Sequence, residues 1–118
     1  MTKSTSAARV VDEAQSIVVT ILWADDELQR FGRRLASTVN PSPLHLVSVI
    51  AAGTQVYPFQ TDSLKGVAVL LRCEFRKRNS GVAVSPDDAH DVLKRLDEYH
   101  IVDAHYHDGD GMPIGKIQ

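Results

Sequence analysis

Residues 64–78, Leu-Lys-Gly-Val-Ala-Val-Leu-Leu-Arg-Cys-Glu-Phe-Arg-Lys-Arg, are the stretch whose conformation decides the fold. Leu64, Val67, Ala68, Leu71 and Phe75 recur at helical spacing, with Thr61 or Asp62 placed to cap the start. Val67, Val69, Leu71, Cys73 and Phe75 alternate just as well, as a strand buried on one face would. Gly66 counts against a helix by about 1 kcal/mol, which does not decide the matter. We read a helix over 64–76, because it would then lie directly before the next helical segment.

The same conflict recurs upstream. Ile17-Val18-Val19-Thr20-Ile21-Leu22 has the β-branched composition of a strand, with Ala24 to Leu35 then a separate helix. Val11, Ala14, Val18, Ile21, Leu28, Leu35 and Val39 nevertheless follow steps of three and four, interrupted at Asp25 and Gly32. That periodicity predicts one long helix from Ala7 to Thr38, whose apolar seam either mates with a second copy or packs on its own domain. Residues 1–6 form a polar, disordered tail, and 7–118 a single domain. Asn40-Pro41-Ser42-Pro43 breaks the chain, Leu44 to Ala52 reads as a short helix ended by Gly53, and Thr54 to Gln60 is extended around Pro58.

Downstream the signals agree with one another. Ser85 suits an N-cap, Pro86 the first helical position, and Asp87 and Asp88 the positive end of the dipole. Ala89, Val92, Leu93 and Leu96 mark the buried face of a helix running to about Tyr99. Alternation from Ile101 to His107, the Asp108-Gly109-Asp110-Gly111 turn and a return strand from Met112 to Ile117 make a hairpin.

A helix running into a glycine-bearing hairpin resembles the recognition helix and wing of the winged helix-turn-helix superfamily, in its multiple-antibiotic-resistance regulator type. The likeness is carried by Gly81-Val82-Ala83-Val84-Ser85-Pro86, Val92 to Glu98, Ile101-Val102 and the turn. It implies a mainly helical fold with a C-terminal β-hairpin, and a small cytoplasmic transcriptional regulator that binds duplex DNA as a homodimer. The alternative is a winged helix that binds a protein and no DNA.

With strands at Ile17–Leu22, Leu44–Ile50, Val67–Phe75 and Ile101–Tyr106, and helices at Asp25–Leu35 and Pro86–Tyr99, the order instead becomes βαββαβ. That is a ferredoxin-like α+β sandwich serving as a binding module. Lys65-Gly66-Val67-Ala68-Val69 then resembles an RNA-recognition-motif strand, with valines where that family stacks aromatic side chains on bases.

Composition narrows the classes. With 43% hydrophobic and 24% charged residues and a net charge of −2, no overall field draws this chain to nucleic acid or to an anionic membrane. The lone Cys73 forms no disulfide within the chain, which suits a reducing cytoplasm. The longest apolar run, Ile17 to Ala24, is too short for a membrane span. No P-loop, nucleophile elbow or dinucleotide fingerprint is present, so neither an enzyme nor a cofactor is expected.

Two groups carry candidate chemistry. Arg72, Arg76, Lys77 and Arg78, with His90, Lys94 and Arg95 on the second helix and Lys116 on the return strand, are the expected phosphate and base contacts. Asp87, Asp88 and Asp91 oppose that role at the helix end that would enter a groove. Asp103, His105 and His107 share a strand face and are weak metal candidates; solvated positions on the hairpin are the plainer reading.

Overall fold

The structure, a computed structural model, describes residues 13–23, 28–40, 42–56, 67–79 and 81–118. Along the chain run β1 (Ser16–Trp23), α1 (Leu28–Val39), β2 (Leu44–Val56), β3 (Val67–Lys77), α2 (Pro86–Arg95), β4 (His100–His107) and β5 (Pro113–Lys116). The five strands form one sheet in the order β2-β3-β1-β4-β5, and every pairing is antiparallel. β1 and β2 therefore run the same way, with β3 inserted between them, and β4 flanks β1 on its other side. This is the ferredoxin-like βαββαβ arrangement, extended at one edge by β5.

Alternation explains which face is buried. Ile17, Val19 and Ile21 on β1, Leu71, Cys73 and Phe75 on β3, and Ala104 and Tyr106 on β4 are buried in one core. Onto them α1 lays Phe31, Leu35 and Val39, and α2 lays Ala89 and Val92, with Leu96 just past its end. Each helix set recurs every three or four residues, which is how a helix presents one stripe to a sheet. Trp23 closes the end of this core against Phe31, with ring centroids 4.7 Å apart, and Tyr99 meets Phe31 edge-on at 6.0 Å.

The mainly α winged helix-turn-helix is thereby overturned. Residues 67–77 are β3, not a helix preceding a recognition helix. Residues 16–23 are β1, so no single helix runs from Ala7 to Thr38. Val18 and Ile21 point to opposite faces of that strand, which removes the seam, and Leu35 and Val39 belong to the core. Leu44–Ala52 lies in the 13-residue strand β2. The tail at 1–6 and residues 57–66 lie outside the described residues.

The physical reason is that the inner strands carry apolar residues on both faces. Val18 and Leu22 on β1, and Leu70 on β3, point away from the helices, and Val18 thereby joins Ala14 and Ile21 in an apparent helical spacing. With both parities filled on β1, steps of three and four arise there without a helix.

The segment from Ser85 onward forms as its local signals require. Ser85 Oγ accepts from the Asp88 amide at 3.1 Å, and the Ser85 amide donates to Asp88 Oδ2 at 3.2 Å, a reciprocal capping box. In the hairpin turn only Gly111 takes a positive φ, 82°, and not both glycines as the two Asp-Gly pairs imply. Asp108 Oδ1 holds the rest, accepting from the amides of Asp110 at 2.9 Å and Met112 at 3.0 Å.

Candidate functional site

Both helices cover one side of the sheet. Among the described residues, no helix or strand packs on the other. On that side the register places side chains in level rows across three strands. Arg72, Thr20 and Asp103 make one row, Glu74, Val18 and His105 the next, and Arg76, Ser16 and His107 the third. β2 extends the rows with Ile50 beside Arg72, Ser48 beside Glu74 and His45 beside Arg76. β5 adds Lys116 beside His105.

The middle of this face is apolar and β-branched. Val18 and Thr20 are half-buried there, while Ile50, 60% exposed, lies on the edge strand beyond Arg72. Charges surround it: Arg76 Nε meets Glu74 Oε2 at 2.7 Å, and His105 Nδ1 lies 3.6 Å from Asp103 Oδ1. These pairs are solvent-facing and contribute little to stability, about 0–1 kcal/mol each.

The candidate nucleic-acid contacts do not form one patch. Arg72, Arg76 and Lys116 share the uncovered face. Lys77 projects to the helix side and pairs with Asp88 at 3.1 Å. Burial pushes the Asp88 carboxyl up, but hydrogen bonds from Ser85 and the charge of Lys77 outweigh it and hold the group below the usual carboxylate range. Arg78 follows β3 and lines a groove of about 400 Å³ with Ala36, Ser37, Val39, Asn40, His45 and Leu46. His90 Nε2 lies 2.9 Å from the Gln118 carbonyl, Arg95 pairs with Asp91 at 3.0 Å, and Lys94 is exposed on α2. With residues 67–77 in a strand, α2 is a packing helix of the sandwich and not the second helix of a helix-turn-helix. The DNA-regulator reading falls with that fold.

The metal candidates also separate. Asp103, His105 and His107 share a face, but His107 is buried with Nδ1 3.0 Å from the Gly111 carbonyl, while His105 faces Asp103. Among the described residues, no three His, Cys, Asp or Glu side chains are grouped to hold an ion. Cys73 lies in the core, where burial pushes its thiol up to about 12, far from a nucleophile's range.

Sequence reasoning missed Val18, Thr20 and Ile50 as members of one surface, since each falls inside an expected helix. The signal that locates them is their parity, opposite to Ile17, Val19 and Ile21 on β1 or, through pairing, to Leu71 and Cys73 on β3.

No family model matches the chain, and no curated protein matches it. Among solved structures it is similar to the TT0538 protein from Thermus thermophilus, with a TM-score of 0.60 and 20% identity. That likeness covers 86% of this chain and 20% of the other, so the chain spans about a fifth of that protein's length. The 30S ribosomal protein S6 from Thermotoga maritima aligns at a TM-score of 0.47 with 9% identity, covering 80% of this chain and 86% of that one. The first likeness is one of fold alone.

Proposed function

We propose that the chain is a non-catalytic binding module of ferredoxin-like fold that docks a protein on the uncovered face of its sheet. The observation that carries this reading is the composition of that face: half-buried Val18 and Thr20 on β1 run between Arg72, Glu74 and Arg76 on β3 and Asp103 and His105 on β4, and exposed Ile50 lies beyond Arg72 on β2. An apolar centre with a charged rim is the anatomy of a protein interface. Base stacking has no ready platform there: among the described residues, Trp23, Phe31, Phe75, Tyr99 and Tyr106 all belong to the core on the helix side or pack against it. The sequence carries no catalytic motif, and its one thiol is buried. A lone buried thiol also suits a cytoplasmic setting. Among the described residues no helix is long and apolar enough to cross a membrane.

Photo-crosslinking residues in place of Ile50, on the uncovered face, and Ser37, on α1, test the reading in lysate from the source cells. Protein adducts at Ile50 that are absent at Ser37 are the expected result. Adducts at Ser37 alone, or at neither position, overturn it.

A further inference from the structure

We propose that the occupant of this face is a second copy of the chain, docked face to face about a two-fold axis parallel to β1. The inference rests on the docking role above and names its partner.

The rows of this face pair charges of opposite sign across β1. β3 lies on one side of β1 and β4 on the other. At the level of Thr20, β3 carries Arg72 and β4 carries Asp103; at the level of Val18, β3 carries Glu74 and β4 carries His105. A two-fold axis above β1 and parallel to it exchanges the two sides and leaves each level unchanged. Arg72 of one copy then stands over Asp103 of the other and Glu74 over His105, each contact occurring twice, while in the third row Arg76 comes over the buried His107, which stays on the Gly111 carbonyl and adds no pair. Such self-complementarity is what an isologous interface requires.

The geometry tolerates the twist of real sheets. Stacked sheets lie about 10 Å apart with strands crossing at about 30°. β3 and β4 stand about 4.8 Å from the axis, so the crossing displaces facing residues by about 2.5 Å, less than the rise of one residue. Val18 and Thr20, on the axis, meet their own copies as small β-branched side chains that leave the surface flat. Arg72 is exposed, and Asp103 of the second copy stands opposite it at the same level.

Sedimentation of the full chain tests this directly. Wild type should be dimeric at tens of micromolar. Arg72→Glu alone sets Glu against Asp twice, and Asp103→Arg alone sets Arg against Arg twice. Each should weaken association about a hundredfold or more and sediment as a monomer. Mixed in equal amounts, the two variants should dimerise again, because both contacts in the mixed pair are then between opposite charges. A misfolded variant would not recover on mixing. Wild type that stays monomeric at several hundred micromolar overturns the proposal, and so does a mixture that stays monomeric. A photo-crosslinking residue in place of Thr20 separates the two readings. An adduct of twice the chain's mass from purified protein supports self-docking. An adduct only with a different protein, formed in lysate, overturns self-docking and leaves the docking face standing. No adduct in either setting overturns both.

Discussion

The two faces of the sheet differ in what they ask of each residue. On the covered face Ile17, Val19, Ile21, Leu71, Cys73 and Phe75 are all within 1% of complete burial. On the other face Val18, Thr20, Arg72, Glu74 and Arg76 range from half-buried to exposed, while Ser16 and Leu22 at the two ends of β1 are buried. One face therefore holds the fold together, and the middle of the other, around Val18 and Thr20, is open to solvent. Adjacent residues on one strand should respond oppositely to the same change.

The largest contrast should appear in thiol chemistry. Burial pushes the Cys73 thiol up to about 12, which disfavours the thiolate near neutral pH, and the residue is sealed in the core. A Cys73→Ala, Arg72→Cys variant moves the thiol by one residue to the exposed face. Its labelling by a maleimide or disulfide reagent should be at least about a thousandfold faster than that of native Cys73. Similar rates would mean that the core opens readily or that the two faces have been exchanged.

Stability should follow the same parity. Phe75→Ala empties a fully buried ring site and should cost about 3–5 kcal/mol in urea unfolding. Arg76→Ala, the next residue, should fall within about 0.5 kcal/mol of wild type. On β1, Val19→Thr buries a hydroxyl and should cost about 1–3 kcal/mol, while Val18→Thr should be near neutral in the monomer. Equal costs at 18 and 19 would show that the open face is covered in solution.

The smallest effect lies at the rim of the covered side. Ser85→Ala removes the cap of α2 and should cost about 1 kcal/mol. Asp88 adds a pH dependence whose sign is fixed. Its folded-state carboxyl is held below the unfolded value, so its contribution is present above about pH 4 and is lost as pH falls through the folded value. Asp88→Asn should remove that acid-dependent part, which a series of urea melts between pH 6 and pH 2 would detect.

Legibility in the sequence followed the number of apolar faces. α2, β4 and the hairpin were readable because Ser85, Pro86, Asp88 and the Asp108 turn are local signals, acting within a few residues. β1 and β3 were not, because their partners are distant in sequence and both of their faces carry apolar residues. The candidate site shows a subtler case. Arg72 and Arg76 do share a face, as expected, but positions four apart share a face in a strand as well as in a helix. The spacing was informative about the face and silent about the element. Lys77 and Arg78, adjacent in sequence, are carried to the Asp88 pair and to the groove beside His45. Asp103 and His105 share a face through alternation, yet the structure gives them an ion-pair geometry with each other and no third ligand among the described residues.

The register shifts in β2 have a consequence for colloidal behaviour. β2 is an edge strand of 13 residues with exposed Val47 and Ile50, the kind of border that can template fibrils. The ladder with β3 slips between Leu46 and Ser48 and again between Ala51 and Gly53. Only Ser48 to Ala51 pair without interruption between the slips, fewer than the roughly six or seven consecutive residues a steric zipper needs. Deleting Val47 and Ala52 would straighten this border into one continuous strand and expose the protein to amyloid growth from an edge that its bulges now keep too irregular to copy.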